Sequence, residues 1–80
     1  MQIVVTGGAG FIGSNLVSVL LDKGFHVTVL DNFSSGRYEN ILDFKNQIRL
    51  IECDLATPGD WEQSILDSDY VVHLAALADI

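Results

Sequence analysis

The run from Gly7 to Gly13, which reads GGAGFIG, constrains the fold of this chain more than any other feature. It follows a short apolar, β-branched segment, Gln2–Val5, and precedes a segment in which apolar residues recur at helical spacing from Ile12 onward. A short apolar run that ends at glycines is typical of a strand buried on both faces of a parallel sheet. The glycines therefore occupy a turn between a buried strand and a helix, and this setting makes a glycine pattern informative.

Three glycines of this turn have separate expected roles. We expect Gly7 to adopt backbone angles that other residues avoid. Gly10 lacks a Cβ and so lets a pyrophosphate approach the backbone, and Gly13 lets the helix lie close to the strand. The N–H groups at the start of the helix would then hold the phosphates. No lysine follows the glycines, which excludes a Walker-type phosphate loop. Because the turn joins a strand to a helix, it predicts dinucleotide binding, with an ordinary flexible turn as the alternative.

Asp31 supplies the second half of the pattern. It ends the second predicted strand and follows the glycines by about 20 residues, as the dinucleotide pattern requires. A carboxylate here can accept hydrogen bonds from both hydroxyls of an adenosine ribose and repels a 2′-phosphate, which favours NAD over NADP. Arg37 is the one nearby cation that would favour NADP. A solvated strand end is the alternative interpretation of Asp31.

The remaining segments alternate between strand and helix. Strands are predicted at 25–30, 48–53 and 70–74, and helices at 12–23, 38–44 and from 58 onward. Alternation of this kind predicts an α/β fold, a Rossmann-type parallel sheet with helices on both faces and right-handed crossovers, in the strand order 3-2-1-4. The chain would form one domain without a visible linker or repeat.

Two helices carry more detailed expectations. In the helix at 38–44 we expect Ile41, Leu42 and Phe44 to face inward. In the last helix Thr57 is the expected N-cap, and Pro58 follows at the first helical position. Trp61 and Ile65 would form the core face of that helix.

Composition and charge exclude several classes of protein. The chain has 80 residues, of which 49% are hydrophobic and 19% charged, which excludes intrinsic disorder. Its one cysteine, Cys53, excludes a disulfide scaffold and a multi-cysteine metal site, and the acidic residues at 60–69 are interpreted as a solvated face. A net charge of −7 argues against nucleic acid and against acidic membranes. Because no leader-like or membrane-spanning segment is apparent, we expect a cytoplasmic protein.

Four segments resemble the successive cofactor segments of the extended short-chain dehydrogenase/reductases, in the sugar-nucleotide epimerase/dehydratase group. These segments are Thr6–Gly13, Asp31–Gly36, Asp54–Leu55 and His73–Ala76. The resemblance spans the chain from end to end and is strongest to UDP-glucose 4-epimerase-like enzymes. Sugar-nucleotide dehydratases and decarboxylases share the same opening.

The resemblance implies a row of contacts with NAD. Phe11 and Ile12 would present backbone to the pyrophosphate. Asp31 and Asn32 would hold the adenosine ribose, with Ser34, Ser35 and Gly36 close by. Asp54 and Leu55 would meet the adenine, and Leu74, Ala75 and Ala76 would line the floor beneath the nicotinamide. Asp31, Asp54 and the segment from Leu74 all follow predicted strands, at the edge where open α/β sheets bind ligands. A turn cap for Asp54 and plain packing for the alanines stay open as alternatives.

The resemblance also implies a catalytic Tyr-x-x-x-Lys pair with a Ser or Thr, in which the tyrosine moves a proton while the nicotinamide exchanges a hydride. Leu42 and Leu74 stand four residues after Tyr38 and Tyr70, where the lysine is required. We therefore expect residues 1–80 to be the N-terminal part of an NAD-binding domain, without catalytic residues or a substrate domain, from an enzyme that acts on a nucleotide-sugar.

Two other functions stay open from the residues alone. The first is a stand-alone nucleotide-binding or interaction module, and the second is a methyltransferase, which also has a glycine-rich loop after its first strand. The predicted strand at 70–74 would be an apolar sheet edge without proline or lysine, so we expect self-association there. His73, in the same strand, is interpreted as a structural histidine.

Overall fold

The computed structural model describes residues 1–33 and 37–74. Its elements in chain order are β1 (Gln2–Thr6), α1 (Phe11–Asp22), β2 (His26–Asp31), a 3-10 helix (Tyr38–Gln47), β3 (Arg49–Glu52), α2 (Trp61–Leu66) and β4 (Tyr70–His73). The strands form one parallel sheet in the order β3-β2-β1-β4. The Rossmann-type α/β class and the predicted strand order are both confirmed.

The sheet has a well-packed face beneath α1 and the 3-10 helix. Side chains alternate between the two faces of a strand, and this face receives Ile3 and Val5 from β1 together with Val27 and Val29 from β2. The helices contribute, among others, Val17, Ile41 and Phe44 to the same cluster. β1 lies between β2 and β4, and its residues from Ile3 to Thr6 are buried on both faces, as its apolar sequence predicts.

The 3-10 helix corrects one expectation. Ile41 and Phe44 are buried as predicted, whereas the side chain of Leu42 is 54% exposed. In a 3-10 helix residues three apart lie on the same face. Ile41 and Phe44 therefore share the inward face, and Leu42 lies outside it.

The start of α2 is a second correction. Thr57 does not cap the helix, which begins at Trp61, after Asp60 at its N-cap. The N–H and the Oγ1 of Thr57 both donate to the carbonyl of Asp54 at 3.1 Å, so Thr57 closes the turn that follows β3. No residue of α2 is fully buried. Trp61 and Ile65 are half-buried and do not reach the depth of a core face.

Candidate functional site

The carboxyl ends of the strands meet at one edge of the sheet. All neighbouring strands run parallel, so the chain leaves every strand at the same edge. The glycine-rich turn follows β1, Asp31 ends β2, Asp54 comes shortly after β3, and Leu74 follows β4. The fold thus places the described site residues at one edge, which is the ligand-binding edge of open α/β sheets.

The turn after β1 has the expected geometry. Gly7 has a φ of 74°, in the left-handed region that favours glycine. Its N–H donates to the carbonyl of Leu30 at 2.8 Å, and its own carbonyl accepts the N–H of Gly10 at 3.1 Å. A Cβ on Gly10 would meet only the Gly7 oxygen, at 3.3 Å, so the backbone of Gly10 stays accessible from outside.

Gly13 allows a close approach, although its nearest neighbour is the turn. A Cβ on Gly13 would fall onto the carbonyl oxygen of Gly7 and lie 2.9 Å from the Cα of Gly8. The helix therefore packs against the turn that precedes it, where we expected the strand. Gly8, which the sequence analysis did not single out, allows a second close approach, between the turn and β2, because a Cβ there would lie 2.7 Å from Cγ1 of Val29.

The first turn of α1 offers free backbone donors. The first N–H groups of any α-helix have no acceptor within the helix, and Gly10 at the N-cap has no side chain to supply one. The first turn contains no acidic side chain that would compete with an anion. Phe11 and Ile12, the first two residues of the helix, are 79% and 68% exposed. The arrangement can accept an anionic group such as a phosphate.

Asp31 is held in place by two backbone hydrogen bonds. Its side chain is only 7% exposed. Oδ2 accepts the N–H of Ala9 at 2.9 Å, and Oδ1 accepts the N–H of Phe33 at 2.7 Å. A carboxylate oxygen has two acceptor positions, so each oxygen can also accept one hydroxyl of a ligand. Asp31 joins the turn after β1 to the end of β2, which rules out a solvated strand end.

The carbonyl of Ala9 is fixed as firmly as its N–H. It accepts Nδ2 of Asn40 at 2.8 Å and the backbone N–H of Arg37 at 3.0 Å. Sequence reasoning missed Asn40, since a single asparagine in a short helix carries no periodic or motif signal. Asn32, at the carboxyl end of β2, is exposed.

Asp54 and its neighbours form a turn at the end of β3. Oδ1 of Asp54 accepts the N–H of Ala56 at 2.9 Å, so the side chain caps this turn. Leu55 is half-buried. Cys53 donates its N–H to the carbonyl of Asp31 at 3.0 Å. Burial raises the pKa of the Cys53 thiol, and the carboxylates of Asp31 and Asp54 raise it further, so both carboxylates act on one point of this edge.

Thr6 joins the ends of β1 and β4. The N–H of Leu74 donates to both the carbonyl and the Oγ1 of Thr6, each at 3.0 Å. The same Oγ1 lies 2.7 Å from Nδ1 of His73, at hydrogen-bond distance. His73 therefore has the structural contact expected of it. The predicted contacts Ser34, Ser35, Gly36, Ala75 and Ala76 lie outside the described residues.

Known proteins with the same pattern identify the family. The profile of the NAD dependent epimerase/dehydratase family matches residues 3–80. The chain belongs to this family. UDP-glucuronic acid decarboxylase 1 of Arabidopsis thaliana is 45% identical over 98% of the chain and 17% of its own length. dTDP-glucose 4,6-dehydratase of Mycobacterium tuberculosis is 43% identical over 95% of the chain and 24% of its own length.

Solved structures in the family share the fold as well as the sequence. The UDP-glucose 4-epimerase of Thermus thermophilus, crystallised with NAD, superposes with a TM-score of 0.80 at 39% identity, over 94% of this chain and 24% of the epimerase. The chain therefore corresponds to about a quarter or less of the relatives it matches.

The described residues contain neither a cluster of metal ligands nor a membrane-spanning helix. Within residues 1–33 and 37–74, no group of three or more His, Cys, Asp or Glu side chains could hold a metal ion. In the same part of the chain, no helix is both long and apolar enough to cross a membrane.

Proposed function

We propose that this chain is the NAD-binding N-terminal part of an enzyme that transforms a nucleotide-sugar. The hydrogen bond of 2.9 Å between the Ala9 N–H and Asp31 Oδ2 carries the proposal. It places the acceptor expected for the ribose directly against the turn expected to hold the pyrophosphate. The named relatives act on UDP-glucuronic acid, dTDP-glucose and UDP-glucose, which supports a nucleotide-sugar as the substrate of the whole protein.

The residues of the described edge fit an NAD molecule. The uncapped start of α1, with the backbone of Gly10, Phe11 and Ile12, would bind the pyrophosphate. Asp31 would accept the ribose hydroxyls. Oδ1 of Asp54 already accepts the N–H of Ala56, which leaves Oδ2 for the amino group of the adenine. Bound NAD would supply a hydride acceptor for oxidation of a sugar hydroxyl and return the hydride later.

The geometry of Asp31 supports NAD over NADP. Both of its oxygens are anchored to backbone N–H groups, so the carboxylate cannot turn away from a 2′-phosphate without breaking a hydrogen bond. Asn32, Leu55 and Leu74 complete the proposed contacts within the described residues. Epimerisation, dehydration and decarboxylation occur among the relatives, and the reaction of the whole protein is proposed to be one of the three.

A titration of the chain with NAD, NADP and S-adenosylmethionine tests the proposal. We expect NAD to bind more tightly than NADP. Asp31→Ala should weaken NAD binding by about 10- to 100-fold, the equivalent of hydrogen bonds to a charged group, and weaken NADP binding far less. Asp43→Ala, at an exposed position of the 3-10 helix, is the matched control. The ratio of the two affinities is the readout, because lost stability lowers both equally.

Other results would favour other functions. Binding of S-adenosylmethionine alone would replace the proposal with a methyltransferase. Failure to bind any of the three would leave an interaction module, the second candidate. Within the described part of the sheet, the observation that favours an interaction module is the exposure of apolar side chains on β4, where Tyr70 is 60% and Val71 is 42% exposed.

We also propose that the 80-residue chain self-associates through β4. Within the described residues this strand pairs only with β1, and an apolar unpaired edge invites pairing with another chain. Val71→Lys should shift the chain toward the monomer in light scattering. A monodisperse monomer with a cooperative melt before any substitution would contradict this. We further propose a cytoplasmic location, which cell fractionation would test.

A further inference from the structure

Ala9 is the point at which three segments of the chain meet. It lies in the glycine-rich turn and its side chain is fully buried. Its N–H donates to Asp31 at the end of β2, while its carbonyl accepts one hydrogen bond from Asn40 and one from the backbone of Arg37. Both polar groups of this one residue are therefore fixed by residues at the end of β2 or after it.

Asn40 lies in the 3-10 helix, which is packed into the core through neighbouring residues. Asn40 is half-buried, and its N–H donates to the carbonyl of Arg37 at 3.0 Å. The next residue, Ile41, is fully buried, and Phe44 is 9% exposed on the same face. The carboxamide thus extends from an element that is packed into the core, and its Nδ2 reaches the Ala9 carbonyl at 2.8 Å.

We propose that Asn40 is a positioning residue for NAD binding. By holding the carbonyl of Ala9, its carboxamide fixes the orientation of the Gly7–Gly13 turn and so of the first N–H groups of α1. Preorganised donors bind a ligand more tightly because the cost of ordering them has already been met in folding. This inference rests on the proposed binding of NAD.

The chemistry of the contact requires a hydrogen-bond donor at position 40. A carbonyl can only accept, so the carboxamide must present its NH₂ group to Ala9. Asn40→Asp has nearly the same shape but places an ionised oxygen against the carbonyl oxygen, which repels it. Asn40→Ala removes the donor and leaves the Arg37 N–H in place, so its effect should be smaller. Asn40→Gln keeps the carboxamide on a longer stem.

The experiment compares these three variants with Asn46→Asp in the 80-residue chain. Asn46 is exposed in the same helix, so this control makes the same chemical change and the same change of charge. We expect N40D to weaken NAD binding about tenfold relative to N46D, because a hydrogen bond is replaced by repulsion between two oxygens. N40A should lose less, and N40Q should regain most of the affinity.

Amide hydrogen exchange supplies a readout that a general loss of stability would not move. In the folded protein the N–H of Ala9 is bonded to Asp31 and that of Gly10 to Gly7. N40D should speed exchange at Ala9 and Gly10 while the β1 and β2 amides keep the protection seen in N46D. If N40D fails to fold, the order N40Q above N40A in NAD affinity carries the test.

The outcomes separate this inference from the proposed function. If the unmodified chain binds NAD and N40D binds it as tightly as N46D, Asn40 is not a positioning residue and the proposed function stands. The same holds if N40Q binds no better than N40A. If the unmodified chain does not bind NAD at all, the proposed function is overturned and this inference falls with it.

Discussion

The helices on the two faces of the sheet differ sharply in how deeply their residues are buried. On one face, α1 and the 3-10 helix bury Val17 and Ile41 completely. On the other, the six-residue helix α2 buries none of its residues fully, and its Leu66 is 77% exposed. Short helices gain stability from packing rather than from their own hydrogen bonds. The face beneath α1 and the 3-10 helix therefore contributes most of the buried core of the described residues.

This difference bears on the proposed NAD site. Its phosphate and ribose end consists of the glycine-rich turn and Asp31, both of which contact the packed face through Val29 and Ala9. Its nicotinamide end would lie near Leu74, after β4, a strand whose side chains are mostly exposed. We infer that the adenosine half of NAD meets the more rigid part of this chain.

The largest expected effect on the free energy of unfolding comes from replacing isoleucine by alanine, a change that can be compared between the two faces. Ile41→Ala, at a fully buried position, should lower the free energy of unfolding by about 3 to 4 kcal/mol, since it removes buried methyl groups and leaves a cavity. Ile65→Ala, at the half-buried position in α2, should lower it by about 1 kcal/mol. Urea unfolding followed by circular dichroism measures both.

A chain of this length has a total stability of only about 3 to 5 kcal/mol, so Ile41→Ala is expected to be largely unfolded. Ile41→Val, which should cost about 1 kcal/mol, keeps the comparison measurable. Equal losses for alanine at the two positions would mean that the two faces contribute alike.

The second effect concerns the contact of α1 with its own turn. Gly13→Ala should lower the free energy of unfolding by about 2 kcal/mol, because the added methyl group meets the backbone of Gly7 and Gly8. This loss outweighs the gain of up to about 1 kcal/mol that alanine brings to a helix interior. Ser18→Ala, exposed in the same helix, is the control and should be neutral or slightly stabilising.

Much of this architecture could be predicted from the sequence. The glycine spacing predicts the positive φ of Gly7, and the alternation of elements predicts a parallel sheet with Asp31 at its carboxyl edge. These features depend on local patterns, because a turn or a strand end is encoded by the residues that form it. The proline after Thr57 was misleading because two local patterns compete there. Asp54 organises a competing turn there, and the sequence alone does not rank the two.

Contacts between distant segments could not be predicted in the same way. Asn40 bonds to Ala9, and Thr6 contacts His73, across long stretches of chain. Such a pair depends on how the sheet and helices pack together, and the sequence around either residue does not indicate which residue it will contact. The prediction that Leu42 faces inward was wrong for a related reason, since its exposure depends on whether the segment is an α-helix or a 3-10 helix.

The third prediction concerns the Thr6 hydroxyl, which connects β1 to the weakly covered β4. Thr6→Val should lower the free energy of unfolding by about 1 kcal/mol, because Nδ1 of His73 loses its partner while the Leu74 N–H keeps the Thr6 carbonyl. Thr28→Val, half-buried on β2, is the matched control and should cost less. If the two variants unfold at the same urea concentration, the hydroxyl does not help to hold β4.

The smallest expected effect is chemical and concerns Cys53, beside the two carboxylates of the site edge. Burial, with Asp31 and Asp54, raises the pKa of this thiol, so at pH 8 it should react more slowly with iodoacetamide than a free cysteine does. Asp54→Asn removes one repelling carboxylate and should speed the reaction, whereas Asp43→Asn, at an exposed position in the 3-10 helix, should not.

The raised pKa of the Cys53 thiol also makes stability depend on pH. Because the folded-state pKa is the higher one, the stabilising contribution of the thiol is present below its unfolded-state pKa of about 8.5 and is lost as the pH rises through the folded-state pKa. Unfolding measured at pH 7 and pH 10 should therefore show a slightly less stable protein at pH 10, and Cys53→Ala should remove the part of that difference that the thiol causes. A Cys53 that reacts as fast as free cysteine at pH 8 would mean that the carboxyl edge is less negative around β3 than the positions of Asp31 and Asp54 require.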